Sequence, residues 1–235
     1  MRHLVCTVMM GAVLAGGSYA SELSTTPDSR MREDWWKKRF EERKAQAETG
    51  EYPTVFMGDS ITHGWDGRQA TLFPDTKIVN IAFGGDRTEQ TLWIIDNLDW
   101  AKVKAKVIML MIGTNNTGHR GRDKESPDDT FDGIKAIIKQ LREKTPDTKI
   151  LLLAIFPRSE FASDQARVRN STVNAMVPTL ADNQHVFFMD IGARFLAADG
   201  ATLPKDIMPD LLHLNDKGYA IWAEAVKAKL DELAK

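Results

Sequence analysis

Cysteine is almost absent from this chain of 235 residues, which holds a single one, Cys6. That excludes a disulfide-stapled scaffold. Charge of one sign is not in excess either: 31 Lys and Arg stand against 33 Asp and Glu, a formal net charge of -2. Such a balance argues against a surface built to neutralise nucleic-acid phosphates. After the first twenty residues no apolar run approaches the roughly 20 residues that span a bilayer, so no stable membrane anchor is expected. Internal repeats and low-complexity tracts are also missing, which excludes collagen-like and disordered classes. What remains, 43% hydrophobic and 27% charged residues, is the mix of a globular protein.

The first twenty residues form a unit of their own. A short basic start, Met1-Arg2-His3, leads into an apolar stretch from Leu4 to Gly17, and Ser18-Tyr19-Ala20 sets small residues before a cut. This is the pattern of a secretory signal peptide, with cleavage expected after Ala20 and export to the periplasm or the medium. Cys6 leaves with it, and no lipid-anchor motif precedes that cysteine. Residues 21–30 are polar and without apolar rhythm, so they read as a linker. A single domain is expected over 31–235.

Within that domain two periodicities alternate. Thr54–Met57, Lys77–Ala82, Lys106–Ile112, Lys149–Ile155 and Val186–Met189 are short and apolar, mostly rich in β-branched residues, as suits strands buried on both faces of a parallel sheet. Helical spacing lies between them. Trp36 and Phe40 are four apart in a stretch from Met31 to Ala47. Ser126-Pro127 looks like an N-cap with proline at N1, ahead of Phe131, Ile134, Ile138 and Leu141. Ser163 opens another helix, and Asn215 can cap the last one. The alternation predicts a three-layer α/β/α domain around a five-stranded parallel sheet.

In such folds ligands bind beyond the carboxyl ends of the strands, and the unusual residues of this chain fall there. Gly58-Asp59-Ser60 ends the first strand. Gly84-Gly85-Asp86 follows the second, and Gly113-Thr114-Asn115-Asn116 the third. Pro157-Arg158 follows the fourth, and Asp210-Leu211-Leu212-His213 precedes the last helix. Ser60 at a strand end is a candidate nucleophile, although Asp-Ser is also a helix-capping pair. Asp210 and His213, three apart, can lie on one side of a turn, the carboxylate fixing the imidazole tautomer. Leu211 and Leu212 between them are placed to keep water away. Gly85 lets backbone N–H groups approach a ligand, and the Asn115 amide is a neutral donor for developing negative charge.

These blocks resemble the SGNH, or GDSL-type, hydrolase superfamily, and the resemblance runs from about Trp35 to the C-terminus. It is carried by Val55 to Trp65, by Asn80 to Thr88, by Gly113 to Asn116 and by Asp210 to Leu214. Within it, the Trp-rich opening helix, Gly-Gly-Asp-Arg-Thr, Gly-Thr-Asn-Asn and Phe-Pro-Arg are most similar to the branch of the platelet-activating-factor acetylhydrolase catalytic subunits. The resemblance implies a flavodoxin-like sheet and ester hydrolysis without metal or organic cofactor. It implies Ser60 as nucleophile, His213 as base and Asp210 as its orienter. The oxyanion hole it implies is built from the Ser60 N–H, the Gly85 N–H and the Asn115 side chain. The expected substrate is a small-molecule or carbohydrate acyl ester, short-chain and foremost O-acetyl, handled through an acyl-enzyme. Where the general family motif often has Asp after the oxyanion Asn, this chain has Asn116.

Competing readings are a lysophospholipase or thioesterase of the same fold, and a carbohydrate-binding module that kept the fold without the chemistry. A metal-dependent phosphoesterase is disfavoured, because Asp59, Asp86, His63, His119 and His213 form no Asp-x-His, Gly-Asn-His or His-x-His run. His63 and His185 read as structural. His119, Arg120 and Arg122 read as a polar loop, Arg158 as a crevice residue or an exposed ion pair. Trp35, Trp36 and Trp222 read as packing residues rather than sugar platforms.

Overall fold

The fold was taken from a computed structural model, which describes residues 22–118 and 125–235. The leader at 1–20 and the loop residues His119, Arg120 and Arg122 lie outside the described residues. Among the described residues, five strands form one sheet: Thr54–Gly58 (β1), Ile78–Ala82 (β2), Val107–Met111 (β3), Lys149–Leu153 (β4) and Val186–Met189 (β5). All pairs are parallel and the order is β2-β1-β3-β4-β5. This is the flavodoxin-like order, whose strand sequence reverses between β1 and β3.

Among the described residues, ten α-helices connect and cover the strands. They are Glu22–Thr25 (α1), Asp34–Ala47 (α2), Ser60–His63 (α3), Gln69–Leu72 (α4), Thr88–Asp96 (α5), Trp100–Val103 (α6), Thr114–Gly118 (α7), Pro127–Lys144 (α8), Gln165–Met176 (α9) and Asp216–Leu233 (α10). Alternate strand residues serve opposite faces of the sheet. Val55, Met57, Ile108 and Leu110 pack with Trp36, Phe40 and Ile134 on one side. Phe56, Val107, Met109 and Leu151 pack with Trp65, Trp222 and Val226 on the other. Two covered faces explain why the strands read as continuous apolar runs. Each fully buried side chain of this size contributes about 1.5–3 kcal/mol.

The caps expected at Ser126 and Asn215 are present, whereas the helix expected to open at Ser163 starts at Gln165 with Asp164 at its N-cap. Ser126 Oγ accepts the Asp129 N–H while Asp129 returns the bond to the Ser126 N–H, and Asn215 Oδ1 accepts the Gly218 N–H. Residues 22–30 depart from the linker expectation. Ser24 is fully buried, its hydroxyl donates to Glu125 and its carbonyl accepts from Thr88 Oγ1 at 2.9 Å. The segment docks through polar contacts, which leave no apolar rhythm to read.

Candidate active site

The loops at the carboxyl ends of β1, β2 and β3 meet the turn before α10. Gly58 closes β1 with φ +154°, and a Cβ there would lie 2.2 Å from the Met111 carbonyl oxygen and 2.6 Å from Thr62 Oγ1. Only glycine lets β1 turn into α3 so close to β3. Asp59 caps α3 by accepting the Ile61 N–H at 2.9 Å, so the capping pair and a Ser60 hydroxyl turned toward His213 coexist. Ser60 is the first helical residue, where the backbone N–H has no intrahelical acceptor.

His213 Nε2 lies 2.8 Å from Ser60 Oγ, and His213 Nδ1 lies 2.6 Å from Asp210 Oδ2. Asp210 Oδ1 also accepts the N–H groups of Leu212 and His213, at 3.0 and 2.7 Å. That turn has a left-handed residue, Leu211 at φ +61°, whose carbonyl accepts the Ser159 N–H at 2.8 Å. Burial tends to raise the Asp210 pKa, but the bonds from the His213 ring and the two backbone N–H groups outweigh it and hold the carboxyl below its ordinary range. The expected shielding by Leu211 and Leu212 is not observed. The side chains of His213 and Asp210 are 42% and 58% exposed, because the turn sits on the rim of the sheet.

Tyr219 ties this end of the chain to α3: its hydroxyl donates to the Ile61 carbonyl at 2.6 Å. A Cβ on Gly64 would strike that hydroxyl. The bond fixes α10, and with it the preceding His213 turn, against the helix that bears Ser60.

Gly85 takes the left-handed conformation, φ +78°. Neighbouring Gly84 donates its N–H to His63 Nδ1 at 3.1 Å, so His63 holds this turn beside Ser60 and does so as a neutral ring. Burial first, then Arg39 and Arg43, lower the His63 pKa against the pull of Asp66. Asn115 Nδ2 donates to the Asp86 carbonyl at 2.9 Å. An amide has two N–H groups, so this bond orients the side chain and leaves a second donor. Asn116 is integrated as well: Oδ1 accepts the Thr88 N–H and Nδ2 donates to Glu125 at 2.8 Å.

The second layer of the site is acidic and buried. Burial pushes the Asp59 carboxyl up to about 6, against the Ile61 N–H, His213 and Arg158. It pushes Asp86 up to about 8, against the Trp36 indole N–H and the Arg30 guanidinium. Arg30 Nη1 is 2.9 Å from Asp86 Oδ1 and 2.7 Å from the Gly84 carbonyl oxygen, and Glu33 holds its other nitrogens. Glu33 and Asp86 together hold the Arg30 pKa above its ordinary value against the effect of burial. Arg158 is buried at the edge of the crevice beside Asp210 and His213, not on the exposed surface. It is 7% exposed and donates to the Thr114 carbonyl at 3.1 Å.

A cavity of about 550 Å³ opens over these groups, walled by Ser60, Gly85, Asn115, His213, Glu33 and Trp35 among others. Ser60, Gly85, Asn115, Asp210 and His213 are thus gathered at one place from four separate loops. Sequence reading missed the contributions of Arg30 and Glu33; nothing in their local pattern distinguishes them from surface charge. Among the described residues no group of three His, Cys, Asp or Glu side chains is arranged to hold a metal.

A serine, an imidazole and a carboxylate stand in hydrogen-bonded series at the switch point of a flavodoxin-like sheet, the arrangement that acyl transfer requires. Comparison with known proteins places it further. The profile of the GDSL-like Lipase/Acylhydrolase family matches residues 56–221, and the chain belongs to that family of ester hydrolases. It is 30% identical over 189 residues to the human platelet-activating factor acetylhydrolase IB subunit alpha1, covering 79% of this chain and 78% of the relative. A GDSL-like lipase from Bacteroides thetaiotaomicron superposes with a TM-score of 0.67 at 20% identity, over 83% of this chain and 97% of that one. Axe2, an acetylxylan esterase from Geobacillus stearothermophilus, superposes with a TM-score of 0.59 at 18% identity, over 78% and 94%.

Proposed function

We propose that this ester hydrolase removes short acyl groups, O-acetyl groups on carbohydrates foremost, through an acyl-enzyme intermediate. Ser60 is the nucleophile, His213 the general base and then acid, and Asp210 its orienter. The Ser60 N–H, the Gly85 N–H and the Asn115 amide receive the oxyanion. The observation that carries this reading is the unbroken chain from Ser60 Oγ through His213 to Asp210, 2.8 and 2.6 Å per link, beside the Gly85 and Asn115 donors.

Ser60 Oγ bonds to the ester carbonyl carbon as its proton passes to His213 Nε2. The carbonyl electron pair moves onto oxygen, where the donors await it. Collapse expels the alcohol oxygen, which takes the proton from His213. Water then repeats the cycle on the acyl-serine and frees the acid. The acyl preference draws support from the name of the human relative, an acetylhydrolase. The carbohydrate preference draws support from the fold shared with an acetylxylan esterase. Export remains the reading of residues 1–20, so the substrate would be met outside the cytoplasm.

Fluorophosphonate labelling, combined with hydrolysis of 4-nitrophenyl acetate, butyrate and octanoate, tests the proposal. Ser60→Ala is expected to abolish labelling and lower kcat at least about 10⁴-fold. A folded Ser60→Ala protein with comparable turnover would overturn the assignment, and a strong octanoate preference would overturn the acetyl reading.

A further inference from the structure

Of the chain's six tryptophans, Trp36, Trp65 and Trp222 are fully enclosed, whereas Trp35 is 45% exposed and opens onto the cavity that contains Ser60. Its indole is nevertheless fixed. Nε1 donates to Glu33 Oε2 at 3.1 Å, and the Arg30 guanidinium lies over the ring, 5.0 Å from its centroid. Arg30 in turn grips Glu33 twice and the Gly84 carbonyl once. The ring is therefore coupled through two side chains to the turn that carries Gly85. A large apolar face held in place at a reaction site, with one side covered by a cation, is built to receive something flat.

We propose that Trp35 is the platform for the pyranose ring whose acetyl group is removed. This rests on the esterase reading above. The carbonyl to be attacked must sit at Ser60 with its oxygen toward Gly85 and Asn115. Trp35 shares the cavity with those groups, so it faces the remainder of the ester. A pyranose offers C–H groups to an indole and hydroxyls to the Glu33 carboxylate, whose oxygens retain lone pairs after binding Arg30 and Trp35. An alkyl chain would meet Arg30, Glu33 and Asn115 there and leave them poorly solvated. Trp35 is thus a specificity residue, held by Arg30 and Glu33 as positioning residues.

The test compares acid release from acetylated xylotetraose and glucose pentaacetate with release from ethyl acetate, which has no ring. Wild type, Trp35→Ala, Trp35→Leu and Trp35→Phe are each measured in a pH-stat. The ratio of sugar-ester kcat/KM to ethyl acetate kcat/KM is expected to fall about tenfold or more in the Ala and Leu variants, mainly through KM, and to recover in Phe. An unchanged ratio in whichever of these two variants folds overturns the platform, because loss shared by all esters means a structural effect on the Gly84–Gly85 turn. Wild type that cleaves ethyl acetate but neither sugar ester overturns the platform alone. Wild type that cleaves none of the three overturns the esterase reading beneath it.

Discussion

Replacing Asp210 by Asn separates two tasks that one carboxylate performs. Oδ1 accepts the N–H groups of Leu212 and His213 and so shapes the turn, while Oδ2 faces His213 Nδ1 at 2.6 Å. An asparagine that keeps the two backbone bonds through Oδ1 sets its NH₂ against Nδ1. The ring can then only accept at Nδ1, so its proton moves to Nε2, the nitrogen 2.8 Å from Ser60 Oγ. In that tautomer His213 donates toward Ser60 and cannot take its proton. Restoring the working tautomer forfeits a hydrogen bond, about 0.5–1.5 kcal/mol, and the imidazolium formed later lacks an ionised partner, about 1.5–3 kcal/mol more. Together these give about 2–4.5 kcal/mol, or roughly 30- to 2,000-fold in kcat. Both side chains are about half exposed, so water screens the loss and the expected fall is near 100-fold, well short of the about 10⁴-fold typical of a buried triad carboxylate. Steady-state kinetics on 4-nitrophenyl acetate, with thermal unfolding as the control for folding, reads it. A kcat within threefold of wild type in a protein of unchanged Tm would refute the tautomer argument. A loss as deep as that of Ser60→Ala would refute the screening argument.

Asn115→Ala should lower kcat by about 10²–10³ with little change in KM, and urea unfolding should find it about 1–3 kcal/mol less stable because the buried Asp86 carbonyl loses its donor; a normal kcat removes Asn115 from the oxyanion hole. Asp59 supplies a pH signature: its folded-state pKa of about 6 lies above the ordinary 3.8, so its contribution to stability is full below about pH 4 and is lost as the pH rises through 6. Asp59→Asn, which keeps an acceptor for Ile61, should remove that slope and gain about 2–3 kcal/mol at pH 8; unfolding curves at pH 4 and pH 8 that shift equally refute the burial of a charge there.

The strands were legible because a parallel sheet covered on both faces demands unbroken apolar runs, and β1 to β5 meet that demand within a residue or two. The site loops were legible because each carries a residue type that bulk packing has no reason to place at a strand end. What escaped notice is polar and non-local. Ser24, Arg30 and Glu33 bond to Glu125, Gly84, Asp86 and each other, and such pairings impose no period on the chain. Trp35 and Trp36 show the limit most sharply: identical neighbours about 100° apart on one helix, one lost in the core and one left at the cavity. Proximity in sequence says nothing about which is which until the face of α2 is known. The consequence reaches function. The proposed catalytic groups come from β-strand ends and the turn before α10, where the fold dictates their positions. The wall proposed to choose the substrate comes from a segment ahead of β1, the start of α2 and the residues just before it, joined to the site by the side-chain bonds of Arg30 and Glu33. Substitutions in that segment can change which ester is accepted without disturbing Ser60, His213 or Asp210, so chains that share the hydrolytic apparatus are free to differ in what they cleave.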